Sequence, residues 1–203
     1  GYVIGIDEAG RGPWAGPVTV TALWLSPSLY AKLPDDIDDS KKLKSARRAD
    51  LAAYLQLPPH FHVTLSKDVD DIDKFGVVRT TLMAMAEAAT DLIGRMQDTG
   101  IAGPFFALID GPLLPDIMPC KCQAVVRGDS RSLSIAGASI IAKHSRDIIM
   151  QDLDADWPTY GWRKNNGYGT RQHKQALARY GVSPHHRRSF IPIKRLCDRS
   201  ETT

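Results

Sequence analysis

Two carboxylates, Asp7 and Glu8, stand side by side where the first apolar segment of the chain ends. The run over 2–4, Tyr-Val-Ile, has the composition of a buried strand. A loop with two glycines, an arginine and a proline follows over 10–13. Two acids beside a loop that can expose backbone N–H groups suit the binding of a cation and a phosphate. Ordinary surface acids at a solvated strand exit would give the same pattern.

Asp110 has a similar setting, because it ends another apolar run and is followed by a glycine. In α/β folds binding sites gather at strand ends, where Asp110 and the first acid pair are both expected. A third region of interest is a helix predicted over 132–153. Lys143 and Asp147 are four residues apart on it and share a face with Ser139. A salt-bridged surface stripe would explain the Lys143 and Asp147 pair equally well.

The hydrophobic patterns predict a sheet that holds these acids. Side chains alternate faces along a strand, so Asp7 and Glu8 should point in opposite directions unless the strand ends between them. Strands that come first and then alternate with helices predict a mixed α/β sheet, with an antiparallel first pair and helices on its faces. The helix over 76–96 is expected to be the longest. Strands are predicted from residue 2 and over 18–25, 61–66, 105–110 and 122–127, and further helices over 46–56, 132–153 and 171–180.

Length and composition indicate one globular domain with, at most, a small appendage. The chain has 203 residues, of which 43% are hydrophobic, and this is enough for a sizeable core. No apolar run approaches the roughly 18 residues of a membrane span, and no secretory signal pattern opens the chain. Cys120 and Cys122 lack the two-residue spacer of common zinc sites. These two and Cys197 are therefore expected to be free thiols in a reducing compartment, the cytoplasm.

Charge is distributed unevenly along the chain. Residues 161–203 carry ten Lys and Arg side chains against two acids, whereas residues 1–160 carry 16 against 21. A basic end beside an acidic body suits a polyanion held by the first and metals held by the second. A solvated basic helix and tail would give the same imbalance.

Three enzyme classes are excluded because their motifs are missing or incomplete. Residues 7–10 have the pattern of a Walker B tetrad, but no phosphate loop with Gly-Lys-Ser/Thr accompanies them. The glycine loop runs into Pro13 rather than into a helix start, unlike a dinucleotide-binding fingerprint. The segment 137–140, Gly-Ala-Ser-Ile, does not match the Gly-x-Ser-x-Gly turn of serine hydrolases.

Several blocks, in order and over nearly the whole chain, resemble the ribonuclease HII family, the type 2 ribonucleases H. The resemblance implies the α/β ribonuclease H-like fold, a five-stranded mixed sheet flanked by helices, with a small C-terminal helical part. We expect a catalytic domain over 1–160 and a basic nucleic-acid-binding part over 161–203 of the same compact unit. The matching blocks are 7–18 (DEAGRGPWAGPV), 39–43 (DSKKL), 109–111 (IDG), 135–143 (IAGASIIAK), 145–147 (SRD), 167–170 (GYGT) and 186–190 (HRRSF).

The resemblance assigns the catalytic, metal-binding positions of the family to Asp7, Glu8, Asp110 and Asp147. Four carboxylates brought together repel one another unless a divalent cation neutralises them, so their chemistry agrees with the assignment. The expected cofactor is Mg²⁺ or Mn²⁺. Mg²⁺ keeps several waters and suits a few carboxylates plus substrate phosphate oxygens. Two such ions about 4 Å apart can activate a water and stabilise the leaving oxygen of an in-line displacement.

The resemblance also implies which residues recognise the substrate. Gly10, Arg11 and Gly12 would read a ribose 2′-hydroxyl with backbone groups, since glycines let the main chain approach a sugar. Tyr168 would stack on the sugar next to the ribonucleotide, although a turn tyrosine packed on the core would have the same sequence setting. Candidate phosphate contacts are Lys41, Lys42, Lys143, Arg146, Arg187 and Arg188.

The resulting hypothesis is a metal-dependent endonuclease that hydrolyses the RNA strand of RNA–DNA hybrids. By resemblance it also cuts on the 5′ side of ribonucleotides embedded in duplex DNA, as ribonucleotide excision in DNA replication and repair requires, and leaves 3′-hydroxyl and 5′-phosphate ends. The expected partners are these two kinds of duplex, with no membrane, and the expected state is a monomer. Two alternatives stay open: a nuclease of the same fold that acts on DNA, and a nucleic-acid binder without catalysis.

Overall fold

The computed structural model describes residues 1–34, 36, 37 and 43–200, with side chains through Asp198. Lys41 and Lys42, two of the candidate phosphate contacts, lie outside this described part. The strands are β1 (Tyr2–Ala9), β2 (Val18–Trp24), β3 (Phe61–Lys67), β4 (Phe105–Asp110) and β5 (Lys121–Val125). The α-helices are α1 (Ser45–Leu55), α2 (Val69–Phe75), α3 (Val77–Asp98), α4 (Leu133–Asp156), α5 (Trp162–Asn165), α6 (Arg171–Tyr180) and α7 (Ile191–Ser200).

The five strands form one mixed sheet with β1 at its centre, in the order β3-β2-β1-β4-β5. β1 pairs antiparallel with β2, where Asp7 lies opposite Thr21, and parallel with β4, where Ile6 lies beside Ile109. β2 and β3 are antiparallel, and β4 and β5 are parallel. The predicted mixed sheet with an antiparallel first pair is confirmed. Because β1 and β4 are parallel neighbours, their carboxyl ends, with Asp7 and Asp110, meet at one edge of the sheet.

Helices cover both faces of the sheet because apolar side chains point to both sides of its central strands. On one face α3 packs against Ile4 and Ile6 of β1. On the other face α4 and α1 pack around Leu23 and Leu25, at and just after the end of β2. The buried residues of α3 follow the helical spacing that predicted it, and they include Ala84, Met85, Ala88, Ala89, Leu92, Ile93 and Met96.

The longest described helix is α4 with 24 residues, against 22 for α3. The expectation that the helix over 76–96 would be the longest is therefore wrong. α4 continues past its predicted end at residue 153 until Trp157, the residue before Pro158. A residue before proline is disfavoured in helical conformation, so this is the first position at which the sequence stops the helix.

α4 packs very close to the central strand of the sheet because residue 5 is a glycine. A Cβ atom on Gly5 would lie 2.1 Å from the backbone carbonyl carbon of Ser134, in the first turn of α4. Gly137 makes a second close approach, where a Cβ atom would lie 2.5 Å from Cδ2 of Leu23. These two glycines let α4 run directly over the central strands, which brings the polar residues of its next turns to the end of β1.

The C-terminal helices α5, α6 and α7 form a third apolar cluster with α4 and with the glycine loop between β1 and β2. Backbone hydrogen bonds hold this loop in place. Trp14 N–H donates to Gly167 O at 2.8 Å, and Gly16 N–H donates to His185 O at 2.9 Å. The buried members of the cluster are Ala15, Met150, Tyr160, Trp162, Ala176, Leu177 and Ile193.

All three cysteines, Cys120, Cys122 and Cys197, carry free thiols, as their spacing predicted. Burial, together with the neighbouring Cys122, raises the pKa of the Cys120 thiol, so this thiol stays protonated at neutral pH. Every helix that the structure describes is too short or too polar to cross a membrane.

Replacement of Gly5 by alanine should lower the free energy of unfolding by about 1–3 kcal/mol, because the added methyl group meets helix backbone that cannot rotate away. Gly94 is the matched control, since it lies within α3 with open space around its Cβ position. Gly94→Ala should raise the free energy of unfolding by roughly 0.5–1 kcal/mol. Urea unfolding measures both changes, and a Gly5→Ala protein as stable as the wild type would contradict the close-packing argument.

Candidate active site

A cleft of about 280 Å³ opens at the sheet edge where β1 and β4 end. Its walls come from the glycine loop, from α4 and from the turn before α6. It brings together three of the four predicted acids, the predicted ribose-reading segment and Tyr168. The residues that line it are Asp7, Glu8, Ala9, Gly10, Arg11, Gly12, Asp110, Ser139, Lys143, Arg146 and Tyr168.

A larger groove of about 710 Å³ lies between α3 and the loop after β4. Its lining is mostly apolar and includes Phe75, Leu82 and Ile117. None of the predicted site residues lines this groove, so size alone does not identify the reactive site. The smaller cleft is the candidate active site because it holds the clustered acids.

Asp7 and Glu8 point to opposite sides of β1, since the strand continues through both to Ala9. Asp7 is 4% exposed and lies toward α4, where the Ser139 side chain hydrogen-bonds its carboxylate. Glu8 lies toward α3 and forms an ion pair with Arg11, with 3.4 Å between Oε1 and Nη1. Both acids still line the cleft, so the end of β1 presents one carboxylate on each side of the strand.

The pKa of Asp7 is raised well above its usual range, first by burial and then by repulsion from the carboxylates of Glu8 and Asp110. Hydrogen bonds from Ser139 and from Glu8 N–H, the latter at 2.7 Å, act in the opposite direction. Repulsion and burial therefore outweigh hydrogen bonding at this carboxyl group. A cation bound among these acids would attract each carboxylate and offset their mutual repulsion. A divalent metal ion has the charge to do this.

Asp110 is held at the end of β4 by a backbone donor. Gly128 N–H donates to Asp110 Oδ1 at 2.6 Å. A Cβ atom on Gly128 would lie 2.5 Å from Cδ1 of Ile135 and 3.2 Å from Asp110 Oδ1, so a side chain there would displace Ile135 and crowd this carboxylate. This contact orients the carboxylate and leaves Oδ2 without a protein partner among the described residues. No local pattern in the sequence marks Gly128 for this role, because its partner comes from another strand.

Asp147 does not line the cleft itself but belongs to an ion-pair cluster that reaches the cleft through Lys143. It is 8% exposed, and its Oδ2 accepts from Arg48 Nη2 at 3.1 Å while Oδ1 accepts from Lys143 Nζ. Arg48 Nη1 also donates to Leu43 O at 3.1 Å. The ion pair that the helix spacing allowed is present and partly buried, because Lys143 keeps some exposure while Asp147 is buried.

Arg48 is the site residue that the sequence analysis missed. It stands on α1, 99 positions before Asp147, beside another arginine, and this setting is typical of a solvated helix start. Its burial follows from spacing, because Arg48, Leu51, Ala52 and Leu55 recur at i, i+3, i+4 and i+7 and form the buried face of α1. That spacing could have indicated an inward-pointing arginine.

Arg187 lies buried under the glycine loop and is not exposed at all. Its guanidinium donates to the carbonyl oxygens of Gly10 at 2.6 Å, Arg11 at 3.0 Å, Gly16 at 2.8 Å and Pro17 at 3.1 Å. Burial, then repulsion from a second buried guanidinium, lowers its pKa to about 9. The predicted phosphate contact of Arg187 is therefore wrong, because its donors are used by the main chain and no solvent reaches them.

The second buried guanidinium belongs to Arg146, which is 1% exposed. It donates to the carbonyl oxygens of Pro17 at 2.9 Å, Asn166 at 3.1 Å and Ala15 at 3.2 Å. Burial lowers its pKa to about 10. We correct its predicted phosphate contact in the same way, since Arg146 joins the glycine loop to the turn before Tyr168.

Tyr168 stands next to the predicted ribose-reading segment. A Cβ atom on Gly12 would lie 3.3 Å from Cε1 of the Tyr168 ring. The tyrosine follows a turn in which Asn166 and Gly167 both have positive φ angles, 49° and 80°. It is 51% exposed, so a tyrosine packed on the core is not what the structure shows. Tyr168 and Gly12 together form one rim of the cleft.

Two buried histidines connect the Tyr168 turn to the segment before Arg187. His173 Nδ1–H donates to Tyr168 O at 3.0 Å, since a carbonyl only accepts. His173 Nε2 then accepts from His186 Nε2–H at 2.9 Å, and His186 Nδ1 accepts from the Ser183 hydroxyl at 2.8 Å. Both rings are neutral in this arrangement. Burial, then the neighbouring His173, lowers the pKa of His186 to about 3.

Comparison with known proteins identifies the family of this chain. The family model described as ribonuclease HII matches residues 4–193. The ribonuclease HII of Cereibacter sphaeroides (strain ATCC 17025 / ATH 2.4.3) is 47% identical over 191 residues, which cover 94% of this chain and 84% of the relative. The chain belongs to the ribonuclease HII family. It is therefore a ribonuclease H, an endoribonuclease that acts on RNA–DNA hybrids.

Solved structures of other ribonucleases H share the fold of this ribonuclease HII family member. The ribonuclease H2 from Pyrococcus horikoshii OT3 superposes with a TM-score of 0.80 at 21% identity, and the match covers 100% of both chains. Bst-RNase HIII in complex with Mn²⁺ superposes with a TM-score of 0.76 at 19% identity, over 100% of this chain and 71% of that one. The expected ribonuclease H fold is confirmed.

The acids of the cleft fit the metal dependence that is typical of the ribonuclease HII family. Asp7, Glu8 and Asp110 offer only carboxylate oxygens, the donors that hard cations prefer. Within the described ranges, no three Asp, Glu, His or Cys side chains stand close enough to form a closed metal site. Mg²⁺ keeps several waters and needs one or two carboxylates plus phosphate oxygens, so an open set of acids suits an ion that binds together with substrate.

The unfolding free energy of this ribonuclease HII family member should fall as the pH drops below about 6.5. The unfolded chain binds a proton at His186 there, whereas the folded chain does so only near pH 3. This histidine contributes at most about 1.4 kcal/mol per pH unit. His186→Gln keeps an N–H donor toward His173 and does not titrate, so its stability should depend less on pH. Urea unfolding at about pH 7.5 and about pH 5 measures both proteins, and equal pH dependence would contradict the assignment.

Proposed function

We propose that this ribonuclease H also cuts on the 5′ side of a ribonucleotide embedded in duplex DNA and leaves 3′-hydroxyl and 5′-phosphate ends. The observation that carries the proposal is the composition of one cleft, where Asp7 and Glu8 adjoin the segment 10–12 and Tyr168. A nuclease that cuts beside a ribonucleotide needs its acids and its 2′-hydroxyl reader within reach of the same nucleotide. The residues proposed for both roles line this one cleft, which supports the proposal.

The metal-binding role is assigned to Asp7, Glu8, Asp110 and Asp147, with Mg²⁺ or Mn²⁺ as the ion. Mn²⁺ is the ion in the structurally similar Bst-RNase HIII. When bound by these acids, divalent ions would supply an activated water and would stabilise the charge on the leaving oxygen. The chain itself orients the acids, through the Ser139 hydroxyl at Asp7 and the backbone of the turn before α4 at Asp110.

Asp147 has a different position from the other three acids. Arg48 and Lys143 both pair with it, so its charge is already balanced within the protein. We therefore expect Asp147 to contribute less than Asp7 and Asp110. This agrees with its place on a helix, where a water can partly replace a carboxylate ligand.

Recognition of the ribonucleotide is assigned to Gly10, Arg11 and Gly12 for the 2′-hydroxyl and to Tyr168 for the neighbouring sugar. A Cβ atom on Gly12 would lie beside the Tyr168 ring at the rim of the cleft, so glycine at this position leaves room for a ribose to approach the backbone. A 2′-hydroxyl donates and accepts hydrogen bonds, which distinguishes it from the hydrogen of DNA. Tyr168 offers an exposed ring at the same rim.

Phosphate contacts are now proposed for fewer residues. Arg188 is exposed, and its backbone N–H is fixed by Asp73 Oδ2 at 2.8 Å, so its side chain projects from an ordered position. Lys143 lines the cleft but also pairs with Asp147. The basic end of the chain makes a duplex backbone the partner that its charge favours. Lys41 and Lys42 keep this role as proposals from the sequence alone.

Asp7→Asn and Asp110→Asn should each lower the rate of cleavage at a single ribonucleotide by about a hundredfold or more, since about 3 kcal/mol of barrier is enough for that loss. Asp147→Asn should lower it less. Asp91→Asn, on the exposed side of α3, is the matched control and should cleave like the wild type. The assay uses a duplex with one ribonucleotide and Mg²⁺, with EDTA as the metal-free arm. An Asp7→Asn enzyme near the wild-type rate would refute the metal assignment.

Tyr168→Ala should lower activity on a single-ribonucleotide duplex by roughly ten- to a hundredfold, because the sugar loses a stacking surface of about 1–3 kcal/mol. Tyr168→Phe keeps the ring and loses only a hydroxyl, so its loss should be smaller, near the 1 kcal/mol of a neutral hydrogen bond. Rates on a continuous RNA–DNA hybrid are measured in parallel. If Tyr168→Ala cleaves the single-ribonucleotide duplex as fast as the wild type, the ring has no part in recognition.

A further inference from the structure

The glycine loop over 10–17 packs on two buried cations, Arg187 and Arg146, which are held by backbone carbonyls rather than by direct ion pairs with described acids. Among the described residues, no carboxylate forms an ion pair with Arg187 or Arg146. Their guanidinium groups instead face carbonyl oxygens of the loop. A buried charge is costly unless hydrogen bonds satisfy it, so these carbonyls are held firmly toward the protein interior.

Because the peptide bond is planar, a carbonyl that is held in place also fixes the direction of the N–H group of the next residue. In a trans peptide, the carbonyl of one residue and the N–H of the next point to opposite sides. Arg187 Nη2 holds Gly10 O at 2.6 Å, and Nη1 holds Arg11 O at 3.0 Å. The N–H groups of Arg11 and Gly12 therefore point away from the buried guanidinium.

These two N–H groups are available to a ligand. Both residues line the cleft. Within the described chain, neither N–H donates to a backbone or side-chain acceptor, whereas Trp14 N–H and Gly16 N–H in the same loop are bonded to the C-terminal segment. The loop thus uses its carbonyls and part of its N–H groups for folding, and keeps two adjacent donors for the cleft.

We propose that Arg187 is a positioning residue for ribonucleotide specificity, which aims the Arg11 and Gly12 N–H groups at the 2′-oxygen of the substrate. The proposal rests on the proposed function of the segment 10–12. Arg187 itself touches no substrate, because it is fully buried. Its effect should therefore depend on the 2′-substituent and not on the phosphate backbone.

The shape of the side chain matters as well as its charge. Arg187 reaches four carbonyl oxygens, of Gly10, Arg11, Gly16 and Pro17, through a planar fork. A lysine ammonium is a single point donor and does not span the same set. Arg187→Lys keeps the charge but should release the Gly10 and Arg11 carbonyls, so the peptide planes lose their fixed direction.

The experiment compares two duplexes in Mg²⁺: one with a single ribonucleotide, which is cleaved, and an all-DNA duplex of the same sequence, used as a competitor. Arg187→Lys should lower kcat/KM on the first duplex by about five- to thirtyfold, the equivalent of one to two hydrogen bonds of about 1 kcal/mol each. The inhibition constant of the all-DNA duplex should stay unchanged. Unchanged kcat/KM, or a parallel rise in the inhibition constant, would overturn the proposal.

Two variants separate positioning from other roles. Arg188→Gln removes an exposed charge next in the chain, so it should raise KM and the inhibition constant together and flatten their salt dependence. Arg146→Lys loosens the same loop but leaves the Gly10 and Arg11 carbonyls on Arg187, so it should lower the melting temperature as Arg187→Lys does, with a smaller loss of kcat/KM. If Arg187→Lys and Arg146→Lys have equal melting temperatures and lose kcat/KM equally, Arg187 has only a structural role.

A measurement on the wild type keeps the proposal testable if Arg187→Lys does not fold. The competitor is a duplex with 2′-fluorine in place of the 2′-hydroxyl, because fluorine accepts weakly and does not donate. It should inhibit more strongly than the all-DNA duplex, and equal inhibition would overturn the proposal. Failure of the proposed function looks different, since the wild type would then leave the single-ribonucleotide duplex uncut.

Discussion

The close contact between α4 and β1 at Gly5 is the constraint on which the candidate active site depends. A Cβ atom there would lie 2.1 Å from the backbone of Ser134, so any side chain would lift the helix from the sheet. With the helix seated, Ser139 reaches the buried carboxylate of Asp7. The same helix then carries Asp147 to Arg48 of α1. One missing side chain in the central strand thus sets the distance between the strand-borne and helix-borne acids.

Charge in this molecule is balanced differently on the two sides of α4. Asp7, Glu8 and Asp110 share the cleft, and burial and mutual repulsion raise the pKa of Asp7. Asp147 has two cations beside it and is electrostatically satisfied. Glu8 pairs with Arg11, whereas no described cation forms an ion pair with Asp7 or Asp110, and a hydrated cation and a phosphate can enter the cleft beside these two acids. The negative charge of these acids is therefore left for a bound cation to neutralise.

The basic residues also divide into two groups with different functions. Arg146 and Arg187 are buried on backbone carbonyls, and their pKa values of about 10 and about 9 still leave them charged at neutral pH. Both stabilise the glycine loop; Arg187 is fully buried, and Arg146 is 1% exposed where it lines the cleft. Arg188 is exposed and available to a phosphate. A count of basic residues in the C-terminal part therefore overstates the number of contacts that a duplex can make.

Much of the fold and part of the site follow from local sequence patterns. Apolar runs bounded by turn residues predicted the five strands, and the position of Asp7 and Asp110 at strand ends predicted that they share a site. The structure adds that β1 and β4 are parallel neighbours, so these two strand ends meet at one edge. The blocks around these acids also indicated the family. Local patterns suffice here because strand and helix periodicity depends on near neighbours in the chain.

Only the tertiary structure decided which polar residues are buried and what they contact. Arg187 and Arg188 are adjacent and chemically identical, yet one holds Gly10 O from 177 positions away and the other faces solvent. Arg48 and Gly128 gained their roles in the same way, from partners on distant elements. The physical reason is that burial of a charge is decided by the acceptors that surround it in space, and those acceptors come together only when the chain has folded.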